Sequence, residues 1–222
     1  MRGIKTAGLI SLLATVLSSP AEVIYQYNFT GDGSRSLIAA GPDVVSQSKV
    51  WAATRAGIRG SKNIFSDGRV APVNNNRGTI TLPVKIADGA VYRYSVSYAD
   101  FKEGILVFGF SAGTHPGDNS DPVLSSIATL KIMTGRVALF SDNAEVKSYT
   151  GSMKGKHDLV IELDTTGNDR IFKIQIDGKI AGTYTNNTSI GAIVLGYSGG
   201  KDVYTHAKYT TVKLETVEKT EQ

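Results

Sequence analysis

Carboxylates two residues apart on a strand project from one face. Glu162 and Asp164 have that spacing in the run His157-Asp158-Leu159-Val160-Ile161-Glu162-Leu163-Asp164. A pair of this kind can divide glycosidic cleavage between a nucleophile or base and a proton donor. The simpler reading leaves Glu162 facing solvent and lets Asp164 open the Thr165-Thr166-Gly167 turn, where an Asp side chain bonds nearby backbone amides. Gly109-Phe110-Ser111-Ala112-Gly113 has the letters of a nucleophile elbow, but that device needs a helix after its strand, and Pro116 and Gly117 forbid one. With three histidines (His115, His157, His206) and no cysteine, no spacing selects a catalytic triad or a zinc cage.

Binding chemistry has more candidates. Sugar faces are apolar and stack on aromatic rings, while their hydroxyls bond to Asp, Asn and Arg. Tyr92, Tyr94 and Tyr98 alternate along one strand face with Val96, either as a stacking platform or as core with the hydroxyls reaching out. Large aromatics in a domain of this type are usually core. Trp51, the only tryptophan, lies in a stretch with Arg55, Arg59 and Arg69 nearby in sequence. Trp51, Arg69, Tyr98, Asp100 and His115 are the candidate ligand-binding residues. Asp118, Asn119 and Asp121 supply oxygens suited to a structural Ca²⁺, although their spacing is not that of an EF-hand and turn chemistry accounts for them too.

The elements that must carry these residues are strands. Val23 to Phe29 alternates and stops at Thr30-Gly31-Asp32-Gly33. After a loosely patterned stretch from 34 to 77, with a strand near Val50 to Ala53, a turn at Ser66-Asp67-Gly68 and a loop at Asn74-Asn75-Asn76, come Gly78 to Val84, Val91 to Ala99 and Ile105 to Ser111. The last is apolar on both faces, which predicts a place at a sheet centre. Ala112 to Pro122 holds too many breakers for a regular element. Ile127 to Met133, Arg136 to Ser141 and Glu145 to Tyr149 follow, then His157 to Leu163 with Leu159, Ile161 and Leu163 inward. Ile171 to Ile176 and Lys179 to Tyr184, separated by Asp177-Gly178, read as a type I′ hairpin. Ile190 to Tyr197 and Thr205 to Val217 complete about a dozen strands. No helix of ten or more residues is expected after the first 21 positions, so the chain is all-β, a sandwich or barrel.

Arg2 and Lys5, the apolar run Ala7 to Leu17 and the small residues Ser19 and Ala21 have the order of a signal peptide, too short to span a bilayer, with cleavage after Ala21. Residues 1–21 are thus read as signal and 22–222 as a single domain, secreted or periplasmic, with no membrane anchor. Losing the signal removes two bases and no acid, lowering the net charge from +4 to +2. Charges of both signs are interspersed, which excludes a nucleic-acid binder built on a basic patch. A cysteine-free exported domain of this size must be held by its core alone, and its size permits that.

The closing third of the chain, His157 to Asp164, a Gly-Asn turn, the hairpin Phe172 to Gly178, the strand Ile193-Val194-Leu195-Gly196 and the final strand Tyr209 to Val217, resembles the concanavalin A-like, laminin-G-like jelly-roll superfamily, in particular its secreted bacterial members. The resemblance implies a jelly-roll sandwich of two antiparallel sheets and a role among lectins, carbohydrate-binding modules, adhesion domains, glycosidases or lyases. Enzymatic members similar to laminarinases carry a strand with two Glu flanking an Asp, which projects three carboxylates into one cleft. Here Glu162 and Asp164 match the first two, and Gly167 falls where the last Glu is needed. That departure favours a non-catalytic recognition module for glycan, with no cofactor beyond a structural Ca²⁺. A glycosidase or lyase using Tyr98, Asp100, His115 or Arg69 is the alternative, and a structural cell-surface protein the third.

Overall fold

The computed structural model describes residues 21–33, 43–45, 52–53, 64–70, 77–113, 125–198 and 206–218. Within them the chain forms β1 (Val23–Asn28), β2 (Val44–Val45), β3 (Ala52–Ala53), β4 (Arg77–Pro83), β5 (Val91–Glu103), β6 (Ile105–Ser111), β7 (Ser126–Met133), β8 (Arg136–Ser141), β9 (Ala144–Thr150), β10 (Gly155–Asp164), β11 (Ile171–Ile176), β12 (Lys179–Thr185), β13 (Ala192–Ser198) and β14 (His206–Val217). No helix occurs among the described residues. The strands make two antiparallel sheets, ordered β12-β11-β10-β5-β14-β1-β2 and β3-β4-β13-β6-β7-β8-β9. Each has six strands of six or more residues and a two-residue strand at one edge. This is the two-sheet jelly-roll sandwich that the resemblance implies, with about the dozen strands that the alternation predicts.

Alternate residues of the two sheets meet in one core. From the first sheet come Tyr92, Tyr94, Val96 and Tyr98 of β5, Leu159, Ile161 and Leu163 of β10, and Tyr209, Val212 and Leu214 of β14. Leu106, Phe108 and Phe110 of β6 and Ile193, Leu195 and Tyr197 of β13 oppose them. Each fully buried aromatic or aliphatic side chain contributes roughly 1.5–3 kcal/mol. The tyrosine stripe is therefore core. Its hydroxyls find backbone partners: Tyr94 donates across the sandwich to the Val194 carbonyl (2.9 Å), Tyr98 donates to that of Met153 on the β9–β10 connection (3.1 Å), and Tyr92 accepts the Ala87 amide (2.8 Å). Burial pushes the Tyr94 and Tyr98 hydroxyls well above the ordinary tyrosine pKa, which keeps them as donors.

β6 lies fourth of seven in the second sheet, and its residues from Leu106 to Ser111 are buried whichever face they occupy. Two-sided apolarity is the signal of a central strand. The other sheet turns a wet face outward. Register aligns Glu215, Arg93, Glu162 and Lys173 across β14, β5, β10 and β11, a row of alternating charge in which Glu162 bonds both Arg93 (2.9 Å) and Lys173 (3.1 Å). Directly opposed unlike charges stabilise a sheet modestly.

Two edge strands, β9 and β12, run along one side of the sandwich, where Lys147 and Tyr149 of β9 close over the position at which Gly182 of β12 lacks a side chain. Each carries a register shift, opposite Leu139/Phe140 in β9 and Ile174/Gln175 in β12. A bulge in an edge strand discourages further strands from adding to it. The β11–β12 connection is the expected type I′ turn, with positive φ at Asp177 (50°) and Gly178 (74°). β5 outruns its expected end at Ala99: Asp100 turns the strand through φ 55° and Phe101 returns to the core at 1% exposure. Residues 1–20 of the expected signal segment 1–21 and the expected Asn74-Asn75-Asn76 loop lie outside the described residues.

Three carboxyls are held below the usual range. Burial pushes Glu162 up, but hydrogen bonds from Arg93 and Lys173 outweigh it. Burial likewise opposes, and the Asp158 amide and His157 overcome it for, Asp177; Arg69 does the same for Asp67. Unfolding returns each to about 4, so between folded and unfolded values the unfolded chain binds more protons and stability rises with pH. The contribution is complete above about pH 5 and is lost as pH falls through the folded values. The melting temperature is expected to drop from pH 5 to pH 3, less steeply in the double variant Glu162→Gln, Asp177→Asn. An unchanged slope in that variant would refute the assignment.

Candidate functional site

Antiparallel register gathers three loops at one end of the sandwich. Val91, the first residue of β5, lies between Asp164, the last of β10, and Val217, the last of β14. Ile171 pairs with Asp164 on one side and Thr185 on the other. The β4–β5, β10–β11 and β12–β13 connections must therefore be neighbours. All three contain turn formers: Asp88-Gly89, Gly167-Asn168-Asp169 and Asn186-Asn187.

Thr165, 2% exposed, fixes the first loop to the second. Its hydroxyl accepts the Ala90 amide (3.1 Å) and faces the carbonyls of Ala87 (2.9 Å) and Ala90 (2.8 Å). Its backbone bonds Ala90 and Gly89. Arg170 fixes the second loop to the third: its amide donates to Asn187 Oδ1 (2.8 Å) and its Nη1 to the Thr188 carbonyl (2.9 Å). Nη2 reaches Asp88 Oδ1 at 3.3 Å. Asn187 Nδ2 donates to Asp169 (2.8 Å) and Asn186 Nδ2 to Ser141 (2.9 Å).

Between the loops lies a depression of about 390 Å³ lined by Asp88, Thr165, Gly167, Asn168, Arg170 and Asn187, at the small end of the roughly 300–1,000 Å³ typical of small-molecule sites. Asp88 is 83% exposed along its side chain. Thr165, Arg170 and Asn187 are spent on holding the loops, which leaves the Asp88 carboxylate and the Asn168 carboxamide to face a ligand. One carboxylate in the lining is half of what hydrolysis of a glycosidic bond requires.

The residues singled out in the sequence do not converge here. Tyr98 is fully buried because its position on β5 points into the sandwich, which corrects its reading as a ligand contact. Arg69 and Asp100 fall at the opposite end of the first sheet, Arg69 bridging Lys208, which pairs with Ala99. Asp100 is exposed; Arg69 is ion-paired with Asp67 and lies over the Phe65 ring at 5.7 Å. Trp51, His115, Asp118, Asn119 and Asp121 lie outside the described residues. Glu162 is neutralised by Arg93 and Lys173, and Asp164 Oδ1 accepts the Thr166 amide (2.8 Å) and hydroxyl (2.6 Å), the turn role its sequence context allows. Ser111 is buried at the end of β6 and donates to the Gly113 carbonyl (2.9 Å). Among the described residues no group of three or more His, Asp or Glu could hold a metal ion, and no helix is long and apolar enough to cross a membrane.

No protein-family model matches the sequence, and no curated protein matches it. Solved structures match the fold. An endo-1,3-beta-glucanase from Streptomyces sioyaensis superposes with a TM-score of 0.61 at 13% identity, covering 90% of this chain and 98% of that one. The carbohydrate recognition domain of Emp46p in its metal-free form gives 0.55 at 14% identity over 83% and 96%, and a seed lectin of Lotus tetragonolobus gives 0.54 at 13% over 89% and 99%. The chain has the concanavalin A-like jelly-roll fold.

Proposed function

We propose that the protein is a secreted, non-catalytic carbohydrate-recognition module whose ligand sits in the depression between the β4–β5, β10–β11 and β12–β13 loops. The observation that carries the reading is the Asp88 carboxylate, held at the rim by Arg170 and turned to solvent beside the unspent Asn168 carboxamide. Carboxylate and carboxamide oxygens accept hydrogen bonds from sugar hydroxyls, and rigid loops supply the fixed geometry that recognition needs. The lectin and carbohydrate-recognition domains that share the fold support the same class of ligand. The single carboxylate of the lining argues for binding without cleavage.

A glycan array with plant, algal and bacterial polysaccharide pull-downs is expected to show binding to at least one glycan without release of reducing ends. Absence of binding across the whole set would overturn the reading, and released reducing ends would overturn its non-catalytic part. Secretion is carried by residues 1–21: intact mass of the exported protein is expected to begin at Glu22, and a retained Met1 would contradict it. The calcium reading of Asp118, Asn119 and Asp121 predicts a melting temperature that rises with Ca²⁺ and returns with chelator; no rise would remove it.

A further inference from the structure

We infer that the Asp88-Gly89 turn is a site of self-modification, at which the Gly89 backbone nitrogen closes on the Asp88 side chain and the peptide link is converted to isoaspartate. The inference concerns the covalent chemistry of the chain and stands whether or not the depression binds a sugar.

An Asp-Gly pair offers this reaction least hindrance, because glycine has no side chain to shield its nitrogen and visits backbone conformations closed to other residues. The Gly89 nitrogen attacks Asp88 Cγ once the carboxyl is protonated. An N–Cγ bond forms, the Cγ–OH bond breaks, and the hydroxyl leaves with the amide hydrogen as water, giving a five-membered succinimide. Water then adds back. Opening of the Cγ–N bond restores aspartate; opening of the bond between the nitrogen and the main-chain carbonyl leaves Gly89 joined through Cγ and frees the former main-chain carbonyl as a carboxylate. Water is the only co-reactant, and nothing is oxidised or reduced.

The chain has four Asp-Gly pairs, Asp32-Gly33, Asp67-Gly68, Asp88-Gly89 and Asp177-Gly178, and the fold restrains three of them. Both oxygens of Asp67 are held by Arg69, through its amide and its Nε, and Gly68 is fixed by bonds to the Phe65 carbonyl and the Tyr209 amide. Asp177 accepts the Asp158 amide (3.0 Å) on one oxygen and meets His157 (2.7 Å) on the other, while pairing of Ile176 with Lys179 clamps the turn. Burial opposes ionisation of Asp67 and Asp177, but these bonds outweigh it and keep both carboxyls in the charged form, which is poorly disposed to lose a hydroxyl. Gly33 is braced from outside: a Cβ there would meet Arg69 at 2.6 Å and Asp67 at 2.7 Å.

Asp88 has none of these restraints. Its side chain is 83% exposed, and its one bond among the described residues is from Arg170 at 3.3 Å. Ala87, Asp88 and Gly89 are all exposed. Gly89 has φ 83°, and nothing lies within 4 Å of the place a Cβ would take. A single bond holds the nucleophile, from the Gly89 amide to the Thr165 carbonyl (2.8 Å). Local opening of an exposed turn costs far less than global unfolding, so the nitrogen is released without loss of the fold. The product adds the Asp88 Cβ to the main chain, which lengthens the β4–β5 connection by one atom and draws the carboxylate away from Arg170.

The test is to hold the purified protein for weeks at physiological temperature in mildly acidic buffer, digest it, and locate isoaspartate by labelling with an isoaspartyl methyltransferase and by chromatographic separation of peptides of equal mass. Isoaspartate is expected to accumulate at position 88 severalfold above positions 32, 67 and 177. Asp88→Glu, which could close only a six-membered ring, is expected to abolish that label at an unchanged melting temperature. In a urea-unfolded sample aged alongside, the four pairs are expected to react comparably. No isoaspartate at 88 in the folded protein, a larger amount at 32, 67 or 177, or the same preference for 88 in the unfolded chain would overturn the inference.

Discussion

Gly68→Ala is expected to lower stability by about 2–5 kcal/mol, the sum of a backbone and a packing penalty. Gly68 turns the Ile64–Val70 hairpin with φ 85°. Its carbonyl accepts the Tyr209 amide (2.8 Å), so the hairpin docks on β14 backbone to backbone. A Cβ there would stand 1.8 Å from the Tyr209 carbonyl oxygen, a distance no side-chain rotation relieves. The left-handed φ costs roughly 1–2 kcal/mol for an L residue, and overpacking typically costs about 1–3 kcal/mol more. Because Tyr209 stacks on Phe29 at 6.0 Å, separating hairpin from strand also loosens β1. Urea unfolding of the variant against the parent measures the effect; a loss under about 1 kcal/mol, the low end of the overpacking range alone, would show that the hairpin is not docked as described.

Tyr94 gives the second large effect, and two substitutions separate its parts. The ring is fully buried and meets Phe108 and Phe110 edge-on at 5.5 and 5.7 Å; the hydroxyl ties β5 to the Val194 carbonyl of the opposite sheet. Tyr94→Ala removes both and is expected to cost about 3–5 kcal/mol. Tyr94→Phe keeps the ring and removes one hydrogen bond, costing about 1 kcal/mol. If the two variants were equally destabilised, the hydroxyl and not the ring would be holding the sheets together.

The fold is legible because period-2 alternation carries it. Leu159, Ile161 and Leu163, and the arms on either side of Asp177-Gly178, leave one register and one turn type available, and the doubly apolar Ile105 to Ser111 belongs at a sheet centre. β5 reads short in the sequence because Asp100 looks like a strand end, whereas its left-handed φ lets the strand resume at Phe101. The candidate site is less legible for a physical reason. Asp88, Asn168 and Asn187 belong to the residue types that build ordinary turns, and nothing local separates an Asn that closes a loop from one that faces a ligand. The signal that could find them is topological: antiparallel pairing of Val91 with Asp164, and of Asp164 with Ile171, puts three Asp/Asn/Gly loops at the same end. Tyr98 misleads in the reverse direction, since aromatic chemistry that suits a sugar also suits a core, and only the facing of β5 decides.

The pairing of Val217 with Val91 has a practical consequence for handling the protein. β14 reaches Val217 at the same end of the sandwich as the depression, so a probe or tether attached beside Val217 would stand at the rim and crowd whatever approaches it. The Asp177-Gly178 turn lies at the far end of the hairpin from Ile171 and Thr185, with the length of the strands between it and the loops. A coupling site placed there would leave the depression facing outward.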